Sequence, residues 1–191
     1  MRAASDSVVP INRDGGSGRR SGNARSGRST SGGEHASRIV QETFAGYARR
    51  GIFRAYGDRS APRGQTHFSF RWHTDVPLNV VYHAGNHELI FRDLLPGMEG
   101  NSEMYRHLKQ FLSTRTSQAV PVHRRIDPRK AALRLRQRSG TVSLVVSLTE
   151  SNLEYGVRKA VNLIHEVFVS FLRDPLYFSY MVQHFGLDPD M

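Results

Sequence analysis

Hydrophobic residues recur at helical spacing from about residue 35 onward. In HASRIVQETFAGYARRG, the apolar positions Ile39, Phe44 and Tyr47 fall on one side of a helix, and Gly51 follows where that helix should end. The pattern predicts a first amphipathic helix that begins close to residue 35.

The period then changes from helical to alternating. In THFSFRWH, Phe68, Phe70 and Trp72 alternate with polar residues, which is typical of a half-buried strand. Two further apolar segments, PLNVVYH and HELIF, flank the short loop HAGN at 83–86, and Gly and Asn suit the positive φ that such loops need. With a shorter strand expected at 52–56, these segments predict a meander of three or four strands.

A second helix should follow the meander. Ser102 is placed to cap it, and an apolar stripe continues to its expected end near Arg115. The stripe consists of Met104, Tyr105, Leu108, Phe111 and Leu112.

The segment KAALRLRQRSGTVSLVVSLTE, residues 130–150, alternates most strictly and predicts a β-hairpin around a Ser-Gly turn. Leu133 and Leu135 share the inward side with alternate residues of the return strand. Three arginines then point outward, and we call them the arginine comb: Arg134, Arg136 and Arg138.

The hairpin leads into SNLE, in which Ser151 and Glu154 have the spacing of a capping box. A long amphipathic helix is predicted from there to Leu172. Asp174 and Pro175 should end it and begin a short terminal helix, whose sequence LYFSYMVQHFG is apolar on almost every side.

This order of elements predicts an α+β fold, with an antiparallel sheet of about five strands and helices packed on one face. We expect one interaction domain over residues 35–191. Residues 1–34 are rich in Gly, Ser and Arg, and they predict a disordered basic tail because they offer no apolar face. Three interpretations of such a tail are open: a solvated linker, a segment that binds nucleic acid nonspecifically, or a transit peptide.

Charge indicates the class of partner. The 191 residues carry a formal net charge of +10, so the chain should attract polyanions, acidic proteins or anionic membrane surfaces. The six arginines of residues 1–34 face three acids, which leaves most of the positive charge on the folded part.

Several classes of chemistry lack their signatures in the sequence. There is no cysteine, which excludes thiol catalysis and Cys-ligated metals. The motifs GxGxxG, GxxxxGK[ST], GxSxG and HExxH do not occur, and we predict no cofactor and no enzymatic activity. Without a secretory leader or a long apolar run, we expect a cytoplasmic protein with no membrane span.

Basic residues also precede the comb, and with it they make seven cations against the single acid Asp127 in residues 121–140. Together they predict a stripe that binds a polyanion or a protein partner, although a charged strand also keeps a sheet edge soluble. No aromatic residue lies between the arginines, which disfavours the stacking of single-stranded RNA. The additional members are Arg124, Arg125, Arg129 and Lys130.

Four histidines gather in the meander, His67, His73, His83 and His87, and the first three have the parity of its polar face. A metal site or catalysis, with Asp75 or Glu88 as the acid, is the less favoured alternative to ordinary surface histidines. We predict no metal, and we expect His165 and its neighbour Glu166 on the polar side of the long helix.

The terminal helix offers a second candidate contact surface, because aromatic residues and methionine are enriched at interfaces. The alternative is that the same side chains dock on the domain itself. They are Tyr177, Phe178, Tyr180, Met181 and Phe185.

The order of elements resembles the type III secretion chaperone fold and the YbjN-type sensory transduction regulators over roughly residues 35–175. Its carriers are THFSFRWH, PLNVVYH, HELIF, ALRLRQRSGTVSLVVSL and LEYGVRKAVNLIHEVFVSFL. The resemblance implies a small non-enzymatic binding domain, usually dimeric, that holds another polypeptide against its sheet or helices. The basic charge fits the regulators better than the secretion chaperones, which tend to be acidic.

We therefore predict a chaperone-like or regulatory interaction domain that binds another protein or itself as a homodimer. The alternative is a nucleic-acid-associated protein that uses the basic hairpin and the tail.

Overall fold

Helices and strands follow one another in the predicted order in a computed structural model that describes residues 26–187. The elements are α1 (Ser26–Arg49), β1 (Arg54–Ala61), β2 (Gln65–Arg71), β3 (Leu78–His83), β4 (Glu88–Leu95), α2 (Glu103–Thr114), β5 (Ala131–Arg138), β6 (Thr141–Leu148), α3 (Leu153–Glu166) and α4 (Phe178–Phe185). The predicted α+β class is confirmed.

Within residues 26–187, six strands form one antiparallel sheet in the order β1-β2-β3-β4-β6-β5. The sheet predicted to have about five strands has six, because the uncertain segment at 52–56 forms a full edge strand, β1, that extends from Arg54 to Ala61. Arg63 and Gly64 both adopt positive φ in the turn to β2. The sheet thus has β1 at one edge and the hairpin strand β5 at the other.

The main core lies between the sheet and the helices. Helices α1 and α3 contact each other, and α1 packs on β1 and β2 while α3 packs on β6. The buried apolar side chains of all four helices described join one cluster with the inward residues of the strands, such as Phe70, Tyr82 and Leu144. The helices therefore cover one face of the sheet, which we call the inner face.

Helix α1 begins earlier than predicted. Its first residue is Ser26, inside the segment expected to be disordered up to residue 34. A Cβ built at Gly33 would lie 3.6 Å from the Cβ of Ala84, so this part of α1 is in van der Waals contact with the β3–β4 turn. Residues 1–25 of the predicted tail lie outside the described residues.

The capping box predicted at the start of α3 is wrong. A short 3-10 turn spans Glu150–Asn152, so α3 begins at Leu153 and no side chain caps its first turn by hydrogen bonding. The carboxylate of Glu154 instead accepts a hydrogen bond of 2.6 Å from Arg158 one turn later. At its other end α3 continues into a π-helical turn, Val167–Phe171, before the predicted stop.

The predicted cap of α2 is confirmed, whereas Asp174 caps a short 3-10 turn, Pro175–Tyr177, and α4 itself begins only at Phe178. The Ser102 hydroxyl accepts a hydrogen bond from the backbone N–H of Tyr105 and thereby caps α2. Asp174 accepts in the same way from the N–H of Leu176. These local bonds satisfy N–H groups that have no partner within the helix.

Candidate functional site: the outer face of the sheet

The arginine comb projects from an edge strand. Its hairpin turns at Ser139 and Gly140, both of which have positive φ, as a two-residue hairpin turn requires. Arg134, Arg136 and Arg138 are exposed and lie on the face opposite the helices, the outer face, as predicted.

A single row of cross-strand partners crosses the outer face from one edge of the sheet to the other. Each residue is paired with the next in strand register, which places all of these side chains on the same face. From β1 to β5 the row reads Arg59, His67, Val81, Ile90, Val145 and Arg134.

The middle of this row is apolar and shielded. Val81, Ile90 and Val145 are 2%, 6% and 0% exposed, yet they do not belong to the cluster that the helices cover. Long side chains at both ends of the row flank them. The outer face therefore has a hydrophobic centre between cationic margins.

Cations outnumber acids on the outer face. Arg134 forms an ion pair of 3.0 Å with Glu88, and Asp93 accepts a hydrogen bond from Thr141. Arg136 and Arg138 form no ion pair with any residue of the described part of the chain. Outward side chains of the six strands include the arginines Arg59, Arg71, Arg92, Arg134, Arg136 and Arg138 and the acids Glu88 and Asp93.

A shallow depression of about 450 Å³ lies at the β1 end of the same face, where Arg59, Arg92 and His67 line it. Partial burial, together with the charges of Arg59 and Arg92, lowers the pKa of His67. The shift is consistent with a positive local potential, because nearby cations oppose the protonation of an imidazole.

The four basic residues that precede the hairpin do not extend the comb as one stripe. Arg124 turns toward α3, and its Nε lies 2.7 Å from the carboxylate of Glu166. Arg129 pairs with Asp127, and Lys130 lies over the ring of Tyr155. Only Arg125 has neither an ion pair nor an aromatic contact among residues 26–187. The candidate site is accordingly the outer face and not the loop.

Glu166 is a residue that the sequence interpretation misplaced. Its side chain is only 9% exposed, and its second carboxylate oxygen lies 2.9 Å from Nη1 of Arg115, although the angle does not meet hydrogen-bond geometry. Arg115 is itself 12% exposed and stacks on Phe111. The cluster therefore joins the end of α2 and the loop before β5 to α3.

The meander histidines do not converge. His67 and His83 lie on the outer face, but β2 ends at Arg71 and His73 turns to the helical side, where its Nε2 lies 3.2 Å from Nδ1 of His165. His87 instead contacts the hydroxyl of Tyr82. Among residues 26–187, no group of three or more His, Asp or Glu side chains is arranged to hold a metal ion.

Most of the candidate interface on α4 docks on the domain itself. Tyr177 and Met181 are buried, the Tyr180 hydroxyl donates to the carbonyl of Pro96, and Phe185 packs on Phe168. The Tyr177 hydroxyl also contacts the ring of His107. Phe178 is the exception at 37% exposed, and Leu176 and Val182 beside it are also exposed.

A signal for the apolar centre was present in the sequence. Strands buried on one face alternate, whereas strands buried on both faces show consecutive apolar residues. The segments VVY, LIF and LVV are such runs, and each supplies one of Val81, Ile90 and Val145. Glu166 left no comparable signal, because its arginine partners are distant in the chain.

Comparison of this chain with known proteins identifies no relative. No protein-family model, no curated protein and no solved structure matches this chain. The resemblance to secretion chaperones and YbjN-type regulators stays a prediction. None of the helices in residues 26–187 has the length and the apolar composition needed to cross a bilayer.

Proposed function

We propose that this chain is a non-enzymatic interaction domain that binds an acidic segment of another protein on the outer face of its sheet. The row from Arg59 to Arg134, with its hydrophobic centre, is the observation that carries the proposal. An acidic segment that also bears apolar side chains matches both properties of this face.

The energetic argument combines two contributions. Arginines at the margins attract an acidic partner and set its orientation, while most of the affinity of protein contacts comes from a buried central patch. Val81, Ile90 and Val145 supply that patch at the middle of the sheet. These three side chains are only 0–6% exposed, so a partner must displace neighbouring side chains to contact them.

Nucleic acid is the alternative partner. Arg136 and Arg138 suit phosphates, but the outward residues of the six described strands include no Phe, Tyr or Trp on which bases could stack. The hydrophobic centre likewise has no counterpart in a phosphate backbone. These two features favour a protein partner.

Two further expectations belong to the proposal. Self-association would bury the exposed apolar side chains Leu176, Phe178 and Val182, and sedimentation of the purified chain with and without their replacement by serine tests the predicted homodimer. The predicted cytoplasmic location is tested by fractionating cells that express the tagged chain.

The binding test uses three proteins and three probes. The proteins are the wild-type chain, a comb-reversal variant with all three comb arginines changed to Glu, and a control with the same change in net charge on exposed arginines of the helical side. The control substitutions are Arg38→Glu, Arg106→Glu and Arg173→Glu.

The probes are a labelled peptide that alternates Glu and Val, a single-stranded RNA and a DNA duplex, each at low and high salt. We expect the peptide to bind the wild type and the control, to lose at least about tenfold in affinity on comb reversal, and to keep part of its affinity at high salt. Preference for RNA or DNA with a steep salt dependence would replace the protein partner with nucleic acid. Binding unaffected by comb reversal would refute the proposed site.

A further inference from the structure

The edge strand β5 has an open side that no described element covers. It is the terminal strand of the sheet order, and its eight residues pair with β6 in an unbroken register from Ala131 to Arg138. The other edge strand, β1, is interrupted by a register shift after Arg54 and by the positive φ of Ala55. A regular edge of this length is a template for another strand.

The backbone groups of the open side can be assigned from the ladder. The two-residue turn makes Arg138 and Thr141 a hydrogen-bonded pair, and the N–H of Thr149 donates to the carbonyl of Lys130 at the other end. Even-numbered residues of β5 therefore bond to β6. The N–H and C=O groups of Leu133, Leu135 and Gln137 point to the open side.

We propose that an extended acidic segment of the partner protein adds to β5 as a further antiparallel or parallel strand. This inference rests on the proposed function and specifies only how the stretch of the partner beside the comb is held, at the edge of the outer face. Side chains of the added strand alternate between faces, so every second residue would lie beside the comb and the others beside Leu133 and Leu135, which are only partly buried. The partner sequence is thus acidic and apolar in alternation.

A second copy of this chain is a poor occupant. If two β5 strands paired by a two-fold axis perpendicular to the sheet, the comb of one copy would face the comb of the other. Like charges on directly opposite residues destabilise a strand pair. Nucleic acid cannot complete the backbone hydrogen bonds of Leu133, Leu135 and Gln137 as a peptide strand does.

Leu135→Pro separates strand addition from binding by charge alone. Proline is tolerated where a strand N–H faces away from the sheet, so the β6 ladder stays intact while the open side loses a donor at its centre. Leu135→Ala removes the same side chain and keeps that donor, which makes it the matched control. The comb is unchanged in both variants.

The probes are the labelled peptide alternating Glu and Val, the same peptide N-methylated on alternate residues, and a block peptide of equal composition. We expect the Leu135→Pro protein to bind the alternating peptide about tenfold more weakly than the Leu135→Ala protein does, and we expect the methylated and block peptides to lose a similar factor on the wild type. Thermal unfolding of both variants confirms that they fold. If the proline variant fails to fold, the affinities of the wild-type protein for the methylated and block peptides still test strand addition.

Equal binding of the alternating, methylated and block peptides, with loss on comb reversal, would overturn strand addition and leave the proposed function standing. If comb reversal left the affinity for all three peptides unchanged, the proposed function itself would be overturned.

Discussion

Replacing Glu166 with glutamine should destabilise the fold more than any surface change of one charge. The Glu166 carboxylate lies between Arg115 and Arg124, and its own side chain and that of Arg115 are largely buried. Glutamine has nearly the same shape, so the substitution removes the charge and little packing. Arg115 then remains as a buried cation without its counter-charge.

The expected loss follows from the burial of the two partners. Breaking a buried ion pair by removing one partner costs about 3–5 kcal/mol, and the remaining amide oxygen can still accept from Arg124. We therefore expect Glu166→Gln to lower the free energy of unfolding by about 3 kcal/mol. Arg124 is 41% exposed, so Arg124→Gln should cost about 1 kcal/mol.

Urea unfolding followed by circular dichroism measures these free energies. Glu166→Met combined with Arg115→Met should recover most of the loss, because apolar residues of similar volume replace a buried pair at little cost. A loss below about 1 kcal/mol for Glu166→Gln would refute the interpretation of this cluster as a buried, mutually dependent pair.

Two other predictions concern the helical side. Burial, with the nearby charges of His165 and Arg173, lowers the pKa of His73 to about 4, so the stability that this neutral imidazole contributes is complete above pH 6.5 and is lost as the pH falls toward 4. Partial exposure reduces the expected loss to about 2 kcal/mol. His73→Phe should remove this pH dependence from the free energy of unfolding measured in urea at pH 7 and pH 4.5, and an unchanged dependence would contradict the prediction. Truncation after Asp174 should expose apolar surface and cause aggregation, since Tyr177 and Met181 are buried, and unchanged light scattering and thermal stability would contradict this expectation.

Features set by local sequence were predictable. The hairpin around Ser139 and Gly140 follows from strict alternation and a two-residue turn, and the cap of α2 follows from Ser102. Each depends on residues only a few positions apart. The outward direction of the comb follows in the same way, because parity within a strand decides the face.

Features set by distant contacts were not predictable. Glu166 was expected beside His165 on the polar side of α3, whereas its carboxylate is buried against Arg124, 42 residues earlier in the chain. His73 left the parity of its strand once β2 ended at Arg71. The outer row from Arg59 to Arg134 needs the register of five strand pairs, which no single segment contains.

Binding of the alternating acidic peptide to the wild type, the comb-reversal variant and the helical-side control tests the central claim most directly. The account predicts that reversal of Arg134, Arg136 and Arg138 weakens binding at least about tenfold while the control, with the same net charge, binds like the wild type. Equal weakening in both variants would show that overall charge and not the outer face attracts the peptide, and it would contradict the account.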